Sequence, residues 1–264
     1  MINAVFERYE LFLFVLSRMT GFVIFSPVFG RRNIPAATRG AISFVLAIFA
    51  LLAITSEPEL DMAQSVETDN MIMFIILVIK EFVFGYLIGL IVNMFFSVVS
   101  ISGEVIDMQM GLGMSKVYDP ASNIQMPLIG NFYNIALMLV FFMTNSHIVL
   151  INLLISSFNI SPVGVINFNP DIGIYLMRMF SDIFNLSLRL AFPVIAAELV
   201  SEVGIGVLMR AVPQINVFVV GLQLKILAGI IVMMICAPVS VVFFDNLFAG
   251  MNDSIYDAIR VFAQ

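Results

Sequence analysis

The sequence predicts an all-α protein of the integral-membrane type, with about six long, kinked apolar helical units. Three observations predict it. Hydrophobic residues make up 61% of the 264-residue chain and charged residues only 11%, whereas a soluble domain is about half apolar and a quarter charged. The mean hydropathy is +1.06. The apolar residues fall in runs long enough to cross a hydrocarbon core of roughly 30 Å.

Six apolar stretches can be read in order: Tyr9–Phe29, Gly40–Thr55, Met71–Ile101, Leu128–Phe158, Ile183–Val200 and Ile215–Phe248. The second is short for a span of about 20 residues, while the third, fourth and sixth are long enough to tilt, kink or fold into hairpins. Pro27, Pro127, Pro193 and Pro238 lie at or inside segment ends. Each removes a helix hydrogen bond and favours a break or bend. Glu7, Arg8 and Glu10 precede the first run without the basic region and small-residue cleavage pattern of a secretory signal, so that run is expected in the mature protein.

The loops orient the segments. Arg31, Arg32 and Arg39 lie between the first two, whereas Glu57–Asn70 carries acids and no basic residue. Counting Lys and Arg puts the first loop on the cytoplasmic side and the second on the far side. Lys116 and Arg210 then fall in cytoplasmic loops, both termini come out on the far side, and Arg178 and Arg260 dissent.

Ionised groups interrupt the apolar runs. Lys80 and Glu81 lie inside Met71–Ile101, Lys225 inside Ile215–Phe248, and Glu198 and Glu202 at the end of another run. A charge at the centre of a lipid-exposed helix costs about 2.5–3.5 kcal/mol on insertion scales, so these groups should face protein, water or a partner. Lys80 and Glu81 point about 100° apart and cannot neutralise each other along one face. Glu198 and Glu202 share a face and repel unless a cation lies near. Pairing across a subunit boundary, with Arg210 included, is the reading preferred over a solvated helix end. Gly85 and Gly89 form a GxxxG pattern that admits a close helix neighbour; the plainer reading is that glycine is frequent in membrane helices.

The stretch Gly103–Pro120 combines Met108, Met110 and Met114 with Gly103, Gly111 and Gly113 and closes on Asp119-Pro120. It reads as a flexible break in the helix, either an ordinary loop or a re-entrant, cavity-facing element. Methionine suits a deformable seal.

Other functions are disfavoured. A net charge of −6 with only 12 Lys and Arg argues against nucleic acid. Cys236 is the only cysteine and His147 the only histidine, no HExxH, GxSxG or GxxxxGK[ST] motif occurs, and Asp107 and Asp119 read as loop residues. No catalytic residue, metal site or cofactor is expected.

The landmarks Arg18 and Gly21, FSPVFGRRNIPAATRG from Phe25 to Gly40, KEFVFGYLIG from Lys80 to Gly89, GEVIDMQMG from Gly103 to Gly111, Asp119-Pro120 and RAVPQIN from Arg210 to Asn216 resemble the FliR family of flagellar export-gate proteins and its injectisome counterparts. The likeness spans nearly the whole chain. One departure is Asn145-Ser146-His147, where relatives often have Gly before the His. Gln214-Ile215-Asn216 followed by Lys225-Ile226 is similar to FliQ, so the resemblance implies a FliP-like portion over residues 1–175 and a FliQ-like helical hairpin over 176–264 within one export-gate domain.

The resemblance also implies a non-enzymatic subunit of the type III export gate in the bacterial inner membrane at the flagellar basal body. Its implied partners are FliP-like and FliQ-like subunits, an FlhB-like membrane protein, unfolded export substrates and membrane lipids. The assembly would lie largely on the periplasmic side, so hydropathy would overcount true spans. A pore plug would involve Met108, Met110, Gly111, Gly113 and Met114. The alternative is a secondary transporter or channel that binds an ion or small solute at the mid-segment charges.

Overall fold

Proline placement sets three of the helix ends. In the computed structural model, which describes residues 9–31, 33–56, 71–114, 127–164, 171–213 and 217–263, α1 (Tyr9–Phe25) stops just before Pro27, which has no N–H to continue it. The next helix, α2 (Ala36–Ser56), starts just after Pro35, whose carbonyl accepts from Arg39 N–H at 3.1 Å. α4 (Leu128–Met143) likewise follows Pro127, and Asn131 N–H donates to that carbonyl at 2.9 Å. Pro193 and Pro238 instead sit inside α6 (Asp171–Ala211) and α7 (Val217–Ala263). Both helices continue through them, so the break that these two prolines suggest does not occur.

α3 (Met71–Gln109) is followed by a 3₁₀ turn at Leu112–Met114, and α5 (Ser146–Ile160) completes seven α-helices; no strand occurs among the described residues. α3 overturns one expectation: Gly103–Gln109 is not a break but the last two turns of a 39-residue helix. Its apolar residues Val105 and Ile106 keep the helical spacing, and Ile106 is fully buried. Asp107 is therefore a helix residue rather than a loop residue. Residues 115–120 of the expected loop, the acidic loop 57–70 and residues 214–216 lie outside the described residues, as do Glu7, Arg8 and Arg32.

The fourth apolar stretch is two helices. Asn145, at φ 58° and ψ 20°, separates α4 from α5. Asparagine is one of the few non-glycine residues that adopts this left-handed conformation readily, which accounts for the turn. By length and composition α2, α3, α6 and α7 could cross a membrane. Six apolar units thus resolve into the 17-residue α1, four span-length helices and the broken α4/α5 pair.

The chain forms two compact units that interleave in sequence. The first comprises residues 1–95, 145–178 and 249–264, the second residues 96–144 and 179–248. In the first, α1 packs on α2 and α2 on α5, around a core that includes Phe14, Phe22, Phe84, Ile88 and Phe158. In the second, the rings of Phe96, Phe141 and Phe248 pack at centroid distances of 5.2–6.2 Å. There Gly103 lets α3 meet α4: a Cβ on it would stand 2.1 Å from Gly130 Cα. The division at 175/176 is one of resemblance, since α3, α6 and α7 each contribute to both compact units.

Candidate functional site

Two charged centres distinguish this chain from a plain bundle of apolar helices. The first is in the sequence-interrupted unit built on α1. Arg18 lies in the middle of α1 and is fully buried, as is Glu81 on α3. Arg18 Nε donates to Glu81 Oε2 at 2.7 Å, Nη1 to Ser157 Oγ at 3.1 Å and Nη2 to the Ser161 carbonyl at 3.0 Å. Gly164 N–H donates to the other carboxylate oxygen, Oε1, at 3.0 Å. The guanidinium carbon lies 4.4 Å from the centroid of Phe84 and 4.0 Å from that of Phe158. Planar, multiply donating and weakly hydrated, Arg fits such a site where Lys would not.

Glycine brings the two helices close enough for this pair. A Cβ at Gly85 would stand 1.9 Å from the Arg18 carbonyl oxygen, and one at Gly21 2.2 Å from that of Phe82. One turn on, a Cβ at Gly89 would stand 2.9 Å from the Phe22 carbonyl oxygen. Gly85 and Gly89 thus face α1 of the same chain. Ser17 Oγ donates to the Val78 carbonyl at 2.8 Å along the same contact.

The expectation that Glu81 pairs across a subunit boundary is therefore corrected. Its partner is Arg18, 63 residues earlier. The sequence held the signal, one basic residue amid the first apolar run and one acid amid the third, but Arg18 served only as a family landmark. Ser157, Phe84 and Phe158 carried no signal beyond ordinary core composition. Lys80 is half-buried on the adjacent position of α3.

The second centre lies within the other unit, where α6 and α7 run antiparallel. Lys225 Nζ forms an ion pair with Glu202 Oε1, their side chains 22% and 49% exposed. That pairing too is made within the chain. One turn along each helix, Glu198 is fully buried and neither of its carboxylate oxygens has a hydrogen-bond partner among the described residues. It lies near Lys225, Glu202 and the backbone of Gly229. Arg210 is exposed in the last turn of α6.

Gly229 is also the seat of Met110. A Cβ there would come within 2.7 Å of Met110 Cγ, Sδ and Cε, and Met110 is fully buried. Gly111 follows at φ +76°, a conformation that favours glycine, and its Cβ position is 2.7 Å from Leu222 Cδ1. The residues expected to act together as a seal thus divide. Met110 is held by α7, Met108 is 69% exposed, Gly113 faces open space, and Met114 ends the 3₁₀ turn. Nearby, Asp107 Oδ1 accepts from Ile129 N–H at 3.2 Å and satisfies one of the free donors at the start of α4. No group of three potential metal ligands occurs among the described residues.

Bilayer-length apolar helices, knitted by in-chain charge pairs and glycine contacts, define a helical protein of the membrane type. More narrowly, the chain belongs to the family described as bacterial export proteins, family 1, which matches residues 9–251. It is 32% identical to the flagellar biosynthetic protein FliR of Bacillus subtilis over 250 residues, covering 94% of this chain and 93% of that protein. It is 27% identical to FliR of Escherichia coli, over 95% and 93% of the two chains. The surface presentation of antigens protein SpaR of Shigella sonnei is also 27% identical, over 93% of each chain.

Proposed function

We propose that this chain is a subunit of the type III protein export gate of the bacterial flagellum. It would form with FliP-like and FliQ-like subunits a helical pore assembly that passes unfolded flagellar proteins across the inner membrane. The observation that carries this reading is the near full-length match to flagellar FliR proteins. The surface supports it as well. Half of the most apolar window of α3 is buried within the chain, against 11% for α6 and α7. Phe180, Phe184, Val203, Val207, Met234 and Ile235 are among the large side chains those two helices leave exposed. Gly204 and Gly206 offer open space where another helix backbone could lie close.

In this reading Met108, Met110, Gly111, Gly113 and Met114 form part of the constriction, anchored by Met110 at Gly229. Arg210, Lys80 and the exposed side of the Lys225–Glu202 pair are offered to neighbouring subunits, and an FlhB-like protein and lipids cover the outside. Much of the assembly would stand on the periplasmic side.

The test is expression with and without the FliP-like and FliQ-like subunits, followed by mild-detergent extraction and native mass measurement. The chain should appear in a hetero-oligomer and be lost or aggregated when made alone. A stable homo-oligomer that ignores the other two subunits would instead favour a transporter or channel. In the intact assembly, Met108→Ala should raise ion leak across the membrane without lowering complex yield.

A further inference from the structure

The orphaned carboxylate of Glu198 has a direct neighbourhood that gives it a role. On α6, Glu198 and Glu202 are one turn apart; on α7, so are Lys225 and Gly229. Lys225 occupies the station at Glu202, leaving Glu198 against the backbone of Gly229. The backbone of Gly229 and the ammonium of Lys225 both lie close to the carboxylate, but neither makes a well-formed hydrogen bond to it in this register. On a further side of Gly229 sits Met110, in contact that only a glycine allows.

The two stations differ in what they lose when vacated. Glu202 is half exposed, so water can replace Lys225 there at small cost. Glu198 is fully buried and has Lys225 only as a neighbour, not as a direct partner. The ion pair is thus made at the carboxylate that needs it less.

We propose that Glu198 is a second station for Lys225, and that α7 has two registers on α6. In the register described, Lys225 holds Glu202 and Met110 is seated over Gly229. In the other, α7 is displaced by one helical turn, about 5.4 Å, Lys225 holds Glu198, and Gly229 is withdrawn from Met110. The charged groups at this contact are Glu198 and Glu202 from α6 and Lys225 from α7. The device fixes or frees the C-terminal end of α3 and does not depend on what the assembly transports.

A disulfide between positions 110 and 229 reads the register. In a Cys236→Ser background, Met110→Cys with Gly229→Cys is expressed in the full chain with its partner subunits, and membranes are oxidised. The cross-link should form efficiently. Adding Glu202→Gln leaves Glu198 as the sole carboxylate for Lys225 and should lower the cross-linked fraction several-fold. Adding Glu198→Gln to that variant, or Lys225→Met, should restore it. The fraction is taken over surviving chain, so a change in expression does not enter. An unchanged fraction in Glu202→Gln overturns the proposal, as does a loss that neither second substitution reverses.

Discussion

Arg18→Met removes a fully buried guanidinium while keeping much of its apolar stem, and it strands Glu81. Of the carboxylate's two described partners, only the Gly164 N–H survives. Ser157 Oγ and the Ser161 carbonyl also lose a donor. Breaking one side of a buried pair costs about 3–5 kcal/mol, roughly two to three and a half powers of ten in an equilibrium constant. The rings of Phe84 and Phe158 add to the loss, since desolvated cation–π contacts are worth about 2 kcal/mol or more. Glu81→Gln in the same background should recover much of the deficit by removing the stranded charge. The measurement is the midpoint of thermal aggregation of the detergent-extracted hetero-oligomer, followed by size-exclusion chromatography, for both singles and the double. Coupling between the two positions should be of the order of the single losses. A stable Arg18→Met chain, or single effects that merely add, would refute the reasoning that this pair holds α1, α3 and α5 together.

Gly85→Ala should be severely destabilising because its Cβ would lie 1.9 Å from the Arg18 carbonyl oxygen, whereas Gly40→Ala, with nothing within 4 Å, should be neutral or gain stability; the gain for an exposed helix position is roughly 0.5–1 kcal/mol, read by the same midpoints. Lys225→Met should cost the fold of the chain itself no more than about 1 kcal/mol, because its ion pair is exposed within one copy, while lowering complex yield through the contact the pair offers to a neighbouring subunit. Asp107→Ala should loosen the start of α4, at a cost of about 0.5–2 kcal/mol typical of a lost N-terminal acceptor, seen as faster proteolytic cleavage next to Pro127.

The helices were largely legible because apolar runs this long leave few alternatives, and the ends near Pro27, Pro35 and Pro127 follow from a missing N–H. Gly103–Gln109 was misread because its glycine and polar residues look like a loop. In the folded chain Gly103 is the point where α3 meets α4, and Asp107 serves the next helix. Among the charges, sequence reasoning recognised that Glu81, Lys225 and Glu202 need partners but looked outside the chain for them. Pairing at 63 residues' separation leaves no local trace. The burial of Glu198 was equally invisible, since its spacing to Glu202 suggests only a shared face. That Met110 is seated while Met108 is exposed depends on Gly229, which no pattern near the methionines reveals.

The arginine at the middle of α1 also has a history in time. Glu81 follows it by 63 residues and Ser157 by 139, so at about 5–20 residues per second of synthesis the carboxylate is made about 3–13 s later and the serine about 7–28 s later. Until α3 is made the nascent α1 carries a permanent cation with none of the groups that will enclose it, and until α5 is made it has only some of them. α1 must therefore wait in a wet or assisted environment and settle only after α3 and α5 have been made. A ribosome stalled before α5 would expose a half-built arginine socket, a natural mark by which quality control could tell an unfinished copy from a complete one.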